Sequence, residues 1–179
     1  MRLLLLSTTL LITLSGCISI NQLHRPNIQT IKLTNQFDPN EASFVLEKGT
    51  ATITGSASLT DANGESISCA GNNVYLVPVT EYSKERFLHL FGDSDNHFSG
   101  DEIIFHVRFK PDHPDFRKYM KVSTCNYVGE FSFDNVSAGE YYLGTNIISE
   151  VEEYNTIKGG ALAETINVKE GQSLEINLH

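Results

Sequence analysis

Positive charge is scarce in this chain: 13 lysines and arginines face 22 aspartates and glutamates, a formal net charge of −9. With no cationic surplus to neutralise phosphates, a general nucleic-acid binder is excluded. Long hydrophobic runs are also missing. The longest, Leu3 to Leu14, falls short of the ~20 residues of a transmembrane helix. There is no tryptophan, no internal repeat and no low-complexity tract. No serine sits in a Gly-x-Ser-x-Gly elbow, and no phosphate-binding loop occurs. His89, His97, His106 and His113 lack the tight spacing of metal ligands. Asp93, Asp95, His97 and Asp101 have the outline of a calcium loop, but Phe98 takes the sixth position, where glycine belongs, and Ile104 the twelfth, where glutamate belongs. The expectation is therefore no catalytic residue, no metal and no cofactor.

What is present begins at the N-terminus. Arg2 precedes the apolar run, and Leu14-Ser15-Gly16-Cys17 closes it. One basic residue, an apolar stretch and a small-residue cleavage site have the anatomy of a secretory signal peptide. The last four residues resemble the lipobox of bacterial lipoproteins. That resemblance implies cleavage after Gly16, acylation of Cys17 and a membrane anchor made of several acyl chains. It also implies a cell-envelope location. Ile18 follows the cysteine where an inner-membrane retention aspartate would stand. An outer membrane, facing the periplasm or the cell surface, is expected in a Gram-negative cell. Residues 1–16 are read as signal peptide. Residues 17–43, polar and carrying Pro26 and Pro39, are read as a tether with a short strand at its end.

From Thr50 onward the pattern has a period of two. Ala51, Ile53, Gly55, Ala57 and Leu59 fall on one face, with threonines and serines on the other, as in a half-buried strand. Asp61-Ala62-Asn63-Gly64 signals a turn. Val74 to Val79 is apolar on both faces and reads as a central strand ending at Pro78. Thr80 caps a predicted helix from Glu81 to Phe91, stopped by Gly92, with Phe87 and Phe91 one turn apart. The segment 93–100 reads as a loop, 102–110 as a strand and 115–120 as a helical turn. Phe131 and Phe133 share a strand face. Gly139 is expected to supply positive φ at the bend before Tyr141 and Leu143. Residues 152–158 read as a loop and Gly159-Gly160 as a flexible bend. Two strands, around Leu162 to Val168 and Leu174 to Leu178, end the chain.

The run Gly129-x-Phe131-x-Phe133, a turn, then Gly139-x-Tyr141-x-Leu143 resembles the carboxypeptidase regulatory-like family. So do Gly49 to Gly55 and Cys69 to Tyr82. The resemblance spans about Phe44 to His179. It implies an all-β fold: a transthyretin-like Greek-key β-sandwich of about seven strands over residues 44–179, with one short helix after the central strand. The zinc peptidases that carry such domains need a His-and-Glu metal site; no His-x-x-Glu occurs here, and no length remains for a catalytic domain. Hydroxyisourate hydrolases share the fold but end in Tyr-Arg-Gly-Ser, whereas this chain ends Glu175-Ile176-Asn177-Leu178-His179.

With Cys17 acylated, Cys69 and Cys125 remain in an exported chain that meets an oxidising compartment. The family's sandwich brings the two strand starts that follow them together, which implies a Cys69–Cys125 disulfide. Two buried thiols are the alternative. Tyr75, Tyr82, Tyr119, Tyr127, Tyr142 and Tyr154 are either ligand-binding aromatics or core residues with the hydroxyl at the rim. The functional expectation is a membrane-anchored, non-enzymatic envelope lipoprotein with a binding or structural role, partnered by the membrane and by an envelope protein or glycan. The alternatives are a carbohydrate- or peptide-binding module, or an accessory to an envelope enzyme.

Overall fold

The structure is a computed structural model that describes residues 28–60, 63–92, 97–100, 107–151 and 156–179. Cys17, Asp93, Asp95, Asp101, His106 and Tyr154 lie outside the described residues, as does the segment 1–27. Eleven strands are described: β1 (Gln29–Lys32), β2 (Ala51–Thr60), β3 (Ser66–Ser68), β4 (Asn73–Pro78), β5 (His97–Gly100), β6 (Val107–Lys110), β7 (Lys121–Thr124), β8 (Glu130–Val136), β9 (Gly139–Val151), β10 (Thr156–Val168) and β11 (Ser173–Leu178). One sheet runs β5-β10-β9-β4-β7. In the other, β2 pairs with β11 on one side and with β8 and β3 on the other. The fold is all-β, as expected. The strand count exceeds the expected seven because short pieces, β1, β3, β5 and β6, pair at edges or in a separate ribbon. Of these, β1 and β6 fall in segments read as strands, whereas β3 and β5, of three and four residues, carry too little periodicity to register in the sequence.

The main core lies between the two sheets. Ala51, Ile53 and Ala57 from β2 meet Val74 and Leu76 from β4, Phe131 and Phe133 from β8, and Tyr141, Leu143 and Ile147 from β9. This is the alternation read in the sequence, now placed on facing sheets. The Tyr141 hydroxyl donates to Ser137 O at 2.9 Å and sits 2.9 Å from Ser137 Oγ; burial pushes this phenol above its ordinary pKa, against the opposing pull of Ser137. Gly139 does not have the expected positive φ, which falls on Asn135 instead (φ 54°). Gly139 is required for a different reason. A Cβ there would run into the Phe44 ring, which packs at a tilt against Tyr141 with centroids 5.4 Å apart.

Because β4 is apolar on both faces, its outward residues need cover as well. A second core provides it on the outer side of the five-stranded sheet. Val77 and Tyr142 pack there with Tyr82, Phe109, Phe116, Leu33 and Phe37. The covering layer is the short helix α1 (Pro39–Ala42), helix α2 (Glu81–Phe91), a parallel β1–β6 ribbon and a 3₁₀ turn over Phe116–Tyr119. Helix α2 is capped as predicted, the Thr80 side chain accepting from the Ser83 N–H, and it ends at Gly92 (φ 71°). Its Phe87 lies flat on Tyr142 with centroids 3.7 Å apart. Leu33, Phe37 and Ala42 are buried, so the packed structure reaches further toward the N-terminus than Phe44. The short strand expected at the end of the 17–43 segment is β1. Three loop expectations change. Residues 97–100 form strand β5, residues 156–158 of the expected 152–158 loop open β10, and Gly159-Gly160 lies inside β10 rather than in a bend, all held by pairing within the large sheet.

Candidate functional site

The outward face of the smaller sheet is uncovered and polar. The pairing register places its side chains in two rows. One is Glu175 (β11), Thr54 (β2) and Ser132 (β8); the other is Asn177, Ser56 and Glu130. Alternation puts each of these opposite the core, because Ile53, Phe131 and Phe133 take the inward positions. Ser123, Thr124 and Asn126 close one side, and the resulting open groove has a volume of about 580 Å³. Ser56 Oγ donates to Asn177 Oδ1 at 2.8 Å, and Asn126 Nδ2 donates to Glu130 Oε2 at 3.0 Å. These bonds fix the orientation of four groups that still have free lone pairs or N–H donors. Among the described residues, two carboxylates and no lysine or arginine line the groove.

A turn over residues 126–129 stands at the rim. Asn126 organises it: Oδ1 accepts from the Val128 N–H (3.0 Å) and the Glu130 N–H (2.9 Å), and the backbone carbonyl accepts from the Gly129 N–H (3.0 Å). Gly129 (φ 83°) adopts a conformation open mainly to glycine, and a Cβ there would press on Ser68. The Cys69–Cys125 disulfide, with Cα atoms 5.8 Å apart, anchors the base of this turn as expected. The turn holds Tyr127 out in solvent at 91% exposure.

Of the tyrosines named from the sequence, Tyr82 and Tyr142 are buried in the second core, while Tyr75 and Tyr119 are half-buried against it. Tyr127 alone is fully presented among the described residues. Its exposure was not readable from its neighbours, which follow no strand or helix period. The polar rows escaped the sequence reading for a related reason. The threonine and serine face of β2 was visible, but its alignment with Glu130, Glu175 and Asn177 depends on register. His89 and His113 lie apart from this groove, on α2 and beside Phe37. Among the described residues, no three His, Cys, Asp or Glu side chains are placed to hold a metal ion, and no helix is long and apolar enough to cross a membrane.

No protein-family model matches the chain, and no curated protein does. Among solved structures, the chain is similar to a protein from Pseudomonas aeruginosa described as a “putative carbohydrate binding protein”. The TM-score is 0.61 at 22% identity, over 80% of this chain and 97% of that one. The two chains share this fold.

Proposed function

We propose that this is a cell-envelope lipoprotein, tethered through Cys17, whose β-sandwich is a non-catalytic carbohydrate-binding module. The observation that carries the reading is Tyr127: a fully exposed aromatic ring on a braced turn beside a groove of oriented Asn, Ser, Thr and Glu groups. A sugar ring has an apolar C–H face that stacks on an aromatic ring and an edge of hydroxyls that exchange hydrogen bonds with such groups. Tyrosine brings this contact area at low entropic cost. The fold shared with a protein described as carbohydrate binding agrees with the proposal.

The carboxylates also fit a binding role. Glu130 pairs in register with Ser56, and Glu175 with Thr54, on strands flanking β2. Strand spacing and rise set their Cα atoms roughly 12 Å apart. Their side chains do not start as a close acid–base pair. With no cation among the described residues of the groove, neutral glycans are the ligand class that fits.

The test is a glycan array probed with the full-length protein, followed by titration of the best ligand. Tyr127→Ala should weaken binding at least tenfold without changing the unfolding midpoint, because the ring touches solvent. The reading fails if no glycan binds, or if Tyr127→Ala and Asn177→Ala both bind as wild type does.

A further inference from the structure

A second cavity lies on the opposite side of the molecule, between the outer face of the five-stranded sheet and the covering layer. Its volume is about 900 Å³, within the range of small-molecule sites. Gly144, Ala161 and Ala163 give it a floor of small residues, and Phe87, Leu90 and Phe109 contribute to its walls. Apolar walls alone name no occupant. Charge does. In a chain of net charge −9, the described residues lining this cavity include Arg86, Arg108, Lys110 and Arg117 against a single acid, Asp112.

Arg86 is the most buried of the four cations. Its side chain is only 15% exposed. The guanidinium lies 4.2 Å from the Phe109 ring centroid and 4.8 Å from that of Phe116. Nη1 donates to Asp112 Oδ1 at 2.9 Å and to the Tyr82 hydroxyl at 3.1 Å. The Nε and Nη2 donors have no acceptor among the described residues. Guanidinium geometry offers that remaining pair of N–H groups as a fork suited to one carboxylate. Asp112 is shared with Arg117, 3.9 Å away, so it does not balance both cations. Arg108 and Lys110 form no ion pair among the described residues.

We propose that this cavity binds an amphipathic carboxylate, its apolar body on the Ala161–Ala163 floor and its carboxylate on the Arg86 fork. The site is separate from the glycan groove and independent of that reading.

The experiment measures binding of 1-pyrenebutyrate and of its neutral counterpart 1-pyrenebutanol to the full-length protein. The protein is held in phosphatidylcholine nanodiscs, with protein-free discs of the same lipid as the blank. The carboxylate should bind at least tenfold more tightly than the alcohol. Raising ionic strength should narrow that gap. Arg86→Gln should abolish the preference; since Arg86 also braces Tyr82 and Asp112, its unfolding midpoint is checked in parallel. Arg117→Gln, at a side chain 81% exposed, leaves the packing alone and should cut the preference severalfold. Ala163→Leu should weaken both probes by filling the floor. Equal binding of acid and alcohol, no binding of either, or an unchanged preference in Arg117→Gln with Ala163→Leu also silent would overturn the proposal.

Discussion

Removing the Cys69–Cys125 cross-link should cost this fold about 4 kcal/mol. The two cysteines are 56 residues apart in sequence. Closing a loop of that length removes roughly 4 kcal/mol of chain entropy from the unfolded state at 25 °C. Folded domains are stable by only ~5–15 kcal/mol, so about a quarter or more of the margin is at stake. A second contribution comes from packing, since Cys69 is fully buried and Cys125 nearly so. Two variants separate the contributions. Reduced wild type loses the bond but keeps both sulfur atoms; Cys69→Ala/Cys125→Ala loses both. Urea unfolding of each, followed by circular dichroism, gives the stability and the m-value. If loop entropy dominates, the two lose nearly the same amount, and m rises because the open unfolded chain exposes more surface. If packing dominates, the reduced protein stays close to oxidised wild type. A loss below about 1 kcal/mol on full reduction would refute the entropic argument.

Three further outcomes are expected. Gly139→Ala should destabilise by about 1–3 kcal/mol, read by thermal melting, because the added methyl meets the Phe44 ring; Phe44→Leu in the same chain should recover part of the loss. At Glu85, burial works to raise the carboxyl pKa, but hydrogen bonds from the Asn35 and Thr34 N–H groups and the Thr34 hydroxyl outweigh it and hold the pKa below the ordinary value. A depressed folded value stabilises the protein above the unfolded pKa and stops doing so as pH falls through the folded one. Acid titration of stability should therefore show a limb there that Glu85→Gln flattens. Wild type should partition into detergent with acyl mass on Cys17, and Cys17→Ser should remove that mass; an unmodified, cleaved wild-type chain in the soluble fraction would sink the anchor.

Long, periodic elements were legible in the sequence. Strand β2 shows its two faces over ten residues, and α2 announces both ends through Thr80 and Gly92. The disulfide followed from compartment and family resemblance. Less legible were features set by tertiary contact. Gly139 looked like a turn glycine because glycine is common in turns; its actual constraint is a ring brought from Phe44, 95 residues earlier in the chain. Leu33 and Phe37 looked like parts of a tether because no period links them. Each fills the second core from an irregular segment, where burial follows position rather than repeat. Tyr127 belongs to the same group, exposed because the Asn126 and Gly129 geometry turns it outward.

The two candidate sites follow from one asymmetry in the strands. In β4, Val74 and Leu76 face the inter-sheet core while Tyr75 and Val77 face away from it. An outward apolar face cannot remain wet, so the large sheet needed a third layer. Helix α2 and the β1–β6 ribbon cover that face incompletely, and the uncovered remainder is an apolar cavity with cations contributed by the covering segments. In β2, β8 and β11, the outward residues are Thr, Ser, Asn and Glu, which need no cover. That sheet keeps a hydrated face on which rows of hydrogen-bonding groups stay available to a polar ligand. Covering the polar face would bury Glu130 and Glu175 without a cation to pair them, a cost of several kcal/mol each. The same alternation that builds the core therefore leaves one face suited to hydroxyl-rich ligands and the other to apolar ones.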